Sequence, residues 1–168
     1  MATPTTLPAA FVAGAILTAD QMNNLRGAFR VLQVVQGSTS TQIGSSTSTY
    51  ADTGLSATIT PSSTSSLILV MVTQAGALKT AGNINNAVSL RLFRGATNIM
   101  QITNSAGFTN SFLTLVIGNI STTFLDNPAT TSATTYKTQF ANDLVAAEVQ
   151  LQTGSSSKST ITLMEISA

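Results

Sequence analysis

From Arg30 onward, apolar side chains recur at every second position in short segments separated by Gly, Ser, Asn or Pro. A repeat of two marks a half-buried β-strand, because successive side chains point to opposite faces of the pleat. Leu55, Ala57 and Ile59 alternate with Ser56, Thr58 and Thr60 until Pro61 stops the run. Val88, Leu90 and Leu92 alternate with Ser89 and Arg91, and Arg94-Gly95-Ala96-Thr97 then reads as a hairpin loop leading into Asn98–Ile102. Tyr136, Thr138 and Phe140 alternate with Lys137 and Gln139. Val145, Ala147, Val149 and Leu151 keep the same period, and Gly154–Ser157 turns the chain into a last strand, Ser159–Ile166. Leu67–Val72 and Leu113–Ile117 are continuous apolar runs, as in strands covered on both faces. Ser38–Thr49 and Ser62–Ser66 are short and lie between good strands, so they read as loops and an edge strand. Eight to ten short strands at this spacing predict an all-β fold, an antiparallel sandwich or jelly roll. The 28 Thr residues suit it, since β-branched side chains fit a pleated surface.

Residues 1–30 are different. Pro4, Pro8 and Gly14 punctuate a small-residue segment that reads as an irregular arm. Leu7–Leu17 is apolar, but no basic residue precedes it. It reads as an arm that packs on another protein rather than as a signal-peptide core. Thr18-Ala19-Asp20-Gln21 fits a capping box, with Asp20 in the first turn where the helix dipole favours an anion. Met22, Leu25, Phe29 and Leu32 follow at helical spacing and predict an amphipathic helix from Ala19 to about Phe29. A helix so short is marginal alone in water. Its stripe must pack on its own domain, on symmetry copies or on a host structure. The boundary near Arg30 separates an arm with its helix (1–30) from a β-domain (31–168).

Composition closes off most chemistry. The chain has no Cys and no Trp, and its count of His is 0, so it contains neither a Ser–His or Cys–His nucleophile pair nor a thiolate metal site. Charged residues are 8%, too few for a basic stripe that would neutralise phosphates, and no nucleic-acid partner is expected. Lys79, Arg91, Arg94, Lys137 and Lys158 are scattered over different segments and read as solvated surface charges. The longest purely apolar run, Leu67–Val72, is far short of the ~20 residues of a spanning helix, so no membrane role is expected. Asp143 and Glu148 could in principle pair as glycosidase carboxylates. Asp143 sits in a turn signal and Glu148 on the polar side of an alternating segment, so no enzyme is expected. Asp52 and Asp126 lack a spaced oxygen-ligand loop for calcium, and Gly76 and Gly82 flank a polar loop with no helix behind it to cradle phosphate. No metal or other cofactor is expected. Asn119-Ile120-Ser121 matches the glycosylation triplet but lies in a predicted strand. Tyr50 and Tyr136 could form part of a sugar-stacking platform or sit at the rim of the core.

The closing segment places Ile161 and Leu163 on one face and Met164 and Ile166 on the other. A lone sandwich normally shows polar residues on its outer faces, so two-sided apolar strands predict a second cover, another subunit.

Several segments resemble virion appendage proteins of tailed bacteriophages: Val31–Gln36 (VLQVVQ), Tyr50–Pro61 (YADTGLSATITP), Ser65–Val72 (SSLILVMV) and Ser159–Ile166 (STITLMEI). Phe11–Arg26 (FVAGAILTADQMNNLR) looks like the segment that opens many phage fibre and minor tail proteins. Leu67 departs from that pattern, standing where such proteins usually have Lys. The resemblance implies a non-enzymatic particle component, commonly a homotrimer, with a jelly-roll-like knob and an N-terminal attachment end on the virion surface. Met22, Leu25, Phe29 and Leu32 would then hold the trimer axis or the particle. Leu7, Phe11, Val12, Ile16 and Leu17 would dock on a neighbouring virion protein. A capsid decoration or head fibre is preferred over a short tail fibre, because tail fibres usually carry longer shafts. The polar loops at Gly82–Asn86 and Asn104–Asn110 are the expected host contacts. The competing reading is a carbohydrate-binding module that uses Tyr50 or Tyr136.

Overall fold

The computed structural model describes residues 14, 16, 18–19, 31–80, 85–110, 114–143, 147–154 and 156–167. Ten strands follow one another: β1 (Val31–Thr39), β2 (Ile43–Ser45), β3 (Ala51–Ile59), β4 (Leu67–Lys79), β5 (Asn85–Arg94), β6 (Thr97–Asn110), β7 (Leu115–Asp126), β8 (Thr134–Asn142), β9 (Val149–Leu151) and β10 (Ser159–Ile166). They form two antiparallel sheets. In the first, β10 lies between β1 and β4, and β7 pairs with the other side of β4. In the second the order is β3-β8-β5-β6. Short β2 and β9 continue the lines of β1 and β10 beyond an interruption in each, with β9 pairing the far part of β4. Counting each interrupted pair as one strand leaves two four-stranded sheets. The chain crosses between them at nearly every connection, which is jelly-roll connectivity.

Antiparallel pairing sets two ends. The near end holds the start of β1, the 60–66 turn, the β5–β6 hairpin turn and the 127–133 loop. The far end holds the β4–β5, β6–β7 and β8–β9 connections.

The alternation read from the sequence lands on the core. Leu55, Ala57 and Ile59 of β3, Ile68, Val70 and Val72 of β4, and Ile161 and Leu163 of β10 pack with Leu92 and Tyr136 into one buried cluster toward the near end. Val88, Leu90, Phe140, Ala77, Val149 and Leu151 form a second cluster toward the far end. Between them lies a buried polar layer. The Thr53 and Thr138 hydroxyls are 2.6 Å apart, Thr138 Oγ1 donates to Gln74 Oε1 (3.1 Å), and Gln74 Nε2 donates to Ser159 Oγ (3.0 Å). These residues come from β3, β8, β4 and β10, so the layer links both sheets. Every polar atom named here has a partner, as burial requires.

Gly76 does not flank a loop, as the sequence suggested, but lies inside β4. There the register with β7 shifts, and the buried face of β4 changes from even to odd positions. Its φ of +60° and the Thr153 backbone, whose N would stand 2.6 Å from an added Cβ, both demand glycine.

The parity of β10 carries a second difference. Glu165 shares the inner face with Ile161 and Leu163 and is fully buried. Its Oε1 accepts from the Ser62 N–H (2.7 Å) and hydroxyl (2.6 Å), and its Oε2 from Gln33 Nε2 (2.6 Å). Burial alone would push this carboxyl up. The hydrogen bonds from Ser62, Gln33 and Ser66 outweigh it and bring the pKa from an ordinary 4.5 down to about 2. A lowered folded-state pKa stabilises above the unfolded value, and that stabilisation is lost as pH falls from about 5 toward 2. We expect roughly 2 kcal/mol to disappear over that window. Urea unfolding at several pH values checks this: Glu165→Gln should flatten the acid limb relative to the parent, and parallel limbs would refute it.

Candidate assembly surface

The outer face of the first sheet can be read row by row, because directly opposed residues of an antiparallel ladder share a face. Val31, Ile166 and Leu67 make the row nearest the near end. Val34, Met164, Leu69 and Leu125 make the next. Met71 then stands among Gln36, Thr162 and Thr123, and the following row is Ser38, Thr160, Thr73 and Ser121. The face therefore passes from apolar rows at the near end to a hydroxyl row in its middle, and beyond the β4 bulge Leu78 stands opposite the exposed Val116. Val31, Val34 and Leu125 are half or more exposed, while Leu67, Leu69, Met164 and Ile166 are half-buried. Outer faces of isolated sandwiches are normally polar, and a contiguous apolar patch marks a contact surface. The expectation that Met164 and Ile166 share a face opposite Ile161 and Leu163 matches this geometry.

The patch begins at Val31, where residues 1–30 join the sandwich. Leu7, Phe11, Val12, Leu17, Met22, Leu25 and Phe29, and all of the predicted helix but Ala19, lie outside the described residues. Ala19 is helical and exposed, and Ile16 is 92% exposed. Leu32 is not part of a helical stripe. It belongs to β1, at the irregularity between Val31 and Gln33, and is partly exposed. Strand pairing with β10 wins there over helical spacing. The Leu113–Ile117 run is also not covered on both faces: Leu113 lies outside the described residues, β7 begins at Leu115, and Val116 is 70% exposed.

The near end also carries an open groove of about 340 Å³ between the β5–β6 turn and the 127–133 loop, lined by Arg94, Pro128, Thr130 and Thr135 among others. Arg94 Nη1 is held by both Asp126 oxygens (3.0 and 2.9 Å) and by the Asn127 carbonyl (3.1 Å).

The basic residues are less uniform than the sequence suggested. Lys158 is exposed, but Lys79 is fully buried at the end of β4. Arg94 pairs with Asp126, and Lys137 pairs with Asp52 at 2.9 Å. Burial raises the Asp52 carboxyl, but the hydrogen bonds from Lys137 and Gln139 outweigh it and bring the pKa below its usual value. The Arg91 guanidinium carbon stands over the Tyr50 ring, 3.6 Å from its centroid. Tyr136, weighed with Tyr50 as a sugar platform or rim residue, is neither: it is fully buried, and its hydroxyl donates to Asp126 (2.6 Å). Burial first, and then that carboxylate, push the phenol far above its usual range.

Asn104–Asn110 is strand β6 rather than a loop, and its end pairs with Asn85 and Asn86 at the far end, so the two expected contact segments do meet. Asp143 accepts from Ser105 Oγ (2.6 Å), and Glu148 Oε2 accepts from Gln150 Nε2 (2.9 Å). Each carboxylate is held in its own local hydrogen bonds. The Tyr50–Arg91 stack joins a residue just before β3 to one in β5, far apart in the chain, and had no sequence signal. Neither a protein-family model nor a curated protein matches the chain.

Proposed function

We propose that this chain is a non-enzymatic structural protein of a tailed-phage particle. In this reading it is a homotrimeric jelly-roll knob held to the virion by residues 1–30. It serves as a capsid decoration or head fibre in preference to a short tail fibre, and it stabilises the particle or presents a surface to the host. The observation that carries the reading is the apolar near-end half of the first sheet's outer face, which starts where the arm joins. Burying a half-exposed Val, Leu or Met side chain there gains on the order of 1 kcal/mol each. Eight such positions around a symmetry axis give an assembly energy without bond chemistry. The far end, where Asn85 and Asn86 pair with the end of β6, would then point away from the particle.

Light scattering tests this directly. The full chain is expected at the mass of a trimer, and Val34→Asp with Met164→Glu is expected to run as a folded monomer. Removing residues 1–30 then separates two roles. A trimer without them makes the arm an attachment device, and a monomer makes it the assembly element. A monomeric full chain would sink the trimeric knob.

A carbohydrate-binding module is the second reading. The Tyr50–Arg91 stack on the outer face of the second sheet favours it, and glycan binding that disappears on Tyr50→Ala would support it.

A further inference from the structure

The outer face of the second sheet is polar and organised. Asp52, Gln139, Arg91 and Gln101 stand in one row across its four strands. Gln101 Nε2 is spent on the Leu90 carbonyl (3.0 Å) and the Thr103 carbonyl (2.6 Å), which fixes its Oε1. That oxygen accepts from Arg91 Nε (2.6 Å), while the Tyr50 ring lies under the guanidinium carbon, 3.6 Å away. The head group is thus held in position by two contacts, one from Gln101 of β6 and one from Tyr50, the residue before β3. Among the described residues, its two Nη groups have no hydrogen-bond partner. They form a pre-set fork whose spacing matches the two oxygens of a carboxylate. Because its orientation is already fixed, binding costs little further ordering.

We propose that Arg91 anchors the carboxylate of an acidic saccharide, a uronic-acid residue of a surface glycan, lying across Gln139 toward the Lys137–Asp52 pair. The charges set that direction. Asp52 is compensated by Lys137 and Gln139. The Asp143 carboxylate, toward the far end, has only the hydroxyls of Ser89 and Ser105 as partners among the described residues and turns an anionic ligand away from itself. Beyond the carboxylate, the Gln139 amide and the ion pair offer paired donors and acceptors to ring hydroxyls. This inference deepens the carbohydrate-binding reading of the Tyr50–Arg91 stack.

Full-length protein is titrated with a glucuronate-containing tetrasaccharide and followed by amide chemical shifts. The same oligosaccharide with its carboxyls reduced to alcohols, and sodium acetate, serve as controls. Saturable shifts are expected around Tyr50, Arg91 and Gln139, with at least tenfold weaker binding for the reduced sugar and for Arg91→Ala. Arg91→Lys keeps the charge and loses the fork, so it should fall between. Equal binding of the reduced sugar, equal binding by folded Arg91→Ala, or acetate binding as tightly as the tetrasaccharide would each overturn the assignment, as would no saturable shift. Light scattering on the same samples reports the trimer independently, so failure of one reading is distinguishable from failure of the other.

Discussion

Gly37→Ala is expected to cost about 3 kcal/mol or more, at the upper end of what overpacking a core costs. Gly37 lies on the inner side of β1, opposite Ile161, where β1 passes over β3 and closes one side of the sandwich. A Cβ there would overlap the Ser56 carbonyl oxygen and stand 2.8 Å from its carbon. Both are backbone atoms of β3, so no side chain can swing aside, and β1 must lift off. The φ of Gly37 is not in the left-handed region; the need is for space alone. Gly118→Ala is the matched control. Its φ is +89° with nothing within 4 Å, so it pays only backbone strain of about 1–2 kcal/mol. Thermal melts should show Gly37→Ala lower by roughly 6–12 °C, given about 2–4 °C per kcal/mol for a chain of this size. If Gly37→Ala melts no lower than Gly118→Ala, the close approach of β1 and β3 is wrong.

Asp126→Ala should cost about 3 kcal/mol, the scale for removing one partner of a buried charged pair. Asp126 ends β7, in the first sheet, and binds Tyr136 of β8 and Arg94 of β5, in the second. It clasps the two sheets at the near end. Without it the Tyr136 hydroxyl is buried with no acceptor, and Arg94 loses its anion. Asp126→Asn retains an oxygen for the hydroxyl and should cost about half as much. Tyr136→Phe alone should cost about 1 kcal/mol. Measured by urea unfolding, the double variant Tyr136→Phe, Asp126→Ala should fall well short of the sum of the two single changes. Strict additivity would show that the hydroxyl and carboxylate are not coupled.

The strands that alternate cleanly were legible as written. β10 has the bounds read from Ser159–Ile166, and Leu55, Ala57, Ile59, Tyr136 and Phe140 face the core. The β5–β6 hairpin follows from Arg94-Gly95-Ala96-Thr97. Where the period breaks, so did the reading. Gly76 looked like a loop glycine because a bulge shifts the phase of β4 and leaves both halves apolar. The segment from Val145 read as one strand; among its described residues the strand is Val149–Leu151, and the chain then detours before β10. Glu165 and Lys79 have inward parity, yet a charge reads as solvent-facing unless its partners are known. Those partners, Ser62 and Gln33 for Glu165, lie more than a hundred residues away along the chain. The apolar outer face was foreseen only in β10, Leu67–Val72 and Leu113–Ile117. Its extension to Val34 and Leu125 depends on register, which periodicity does not carry.

The hydroxyl and amide layer through the middle of the core also bears on how the chain finds its fold. Many of these strands are interchangeable in composition, rich in Thr, Val, Ile and Leu, and a slip of two residues would keep every apolar side chain inside. Such a slip would leave Gln74 or Ser159 facing a methyl group and forfeit several hydrogen bonds at once. The layer thus acts as an alignment key, rewarding only the arrangement in which four strands arrive in step. Thr53 and Thr138 are 85 residues apart, as are Gln74 and Ser159. The key turns only after long loops have closed, so correct alignment is a late and slow event in folding. A chain that reaches it late spends longer with its strands unmatched, and crowding by identical copies is then the hazard it must survive.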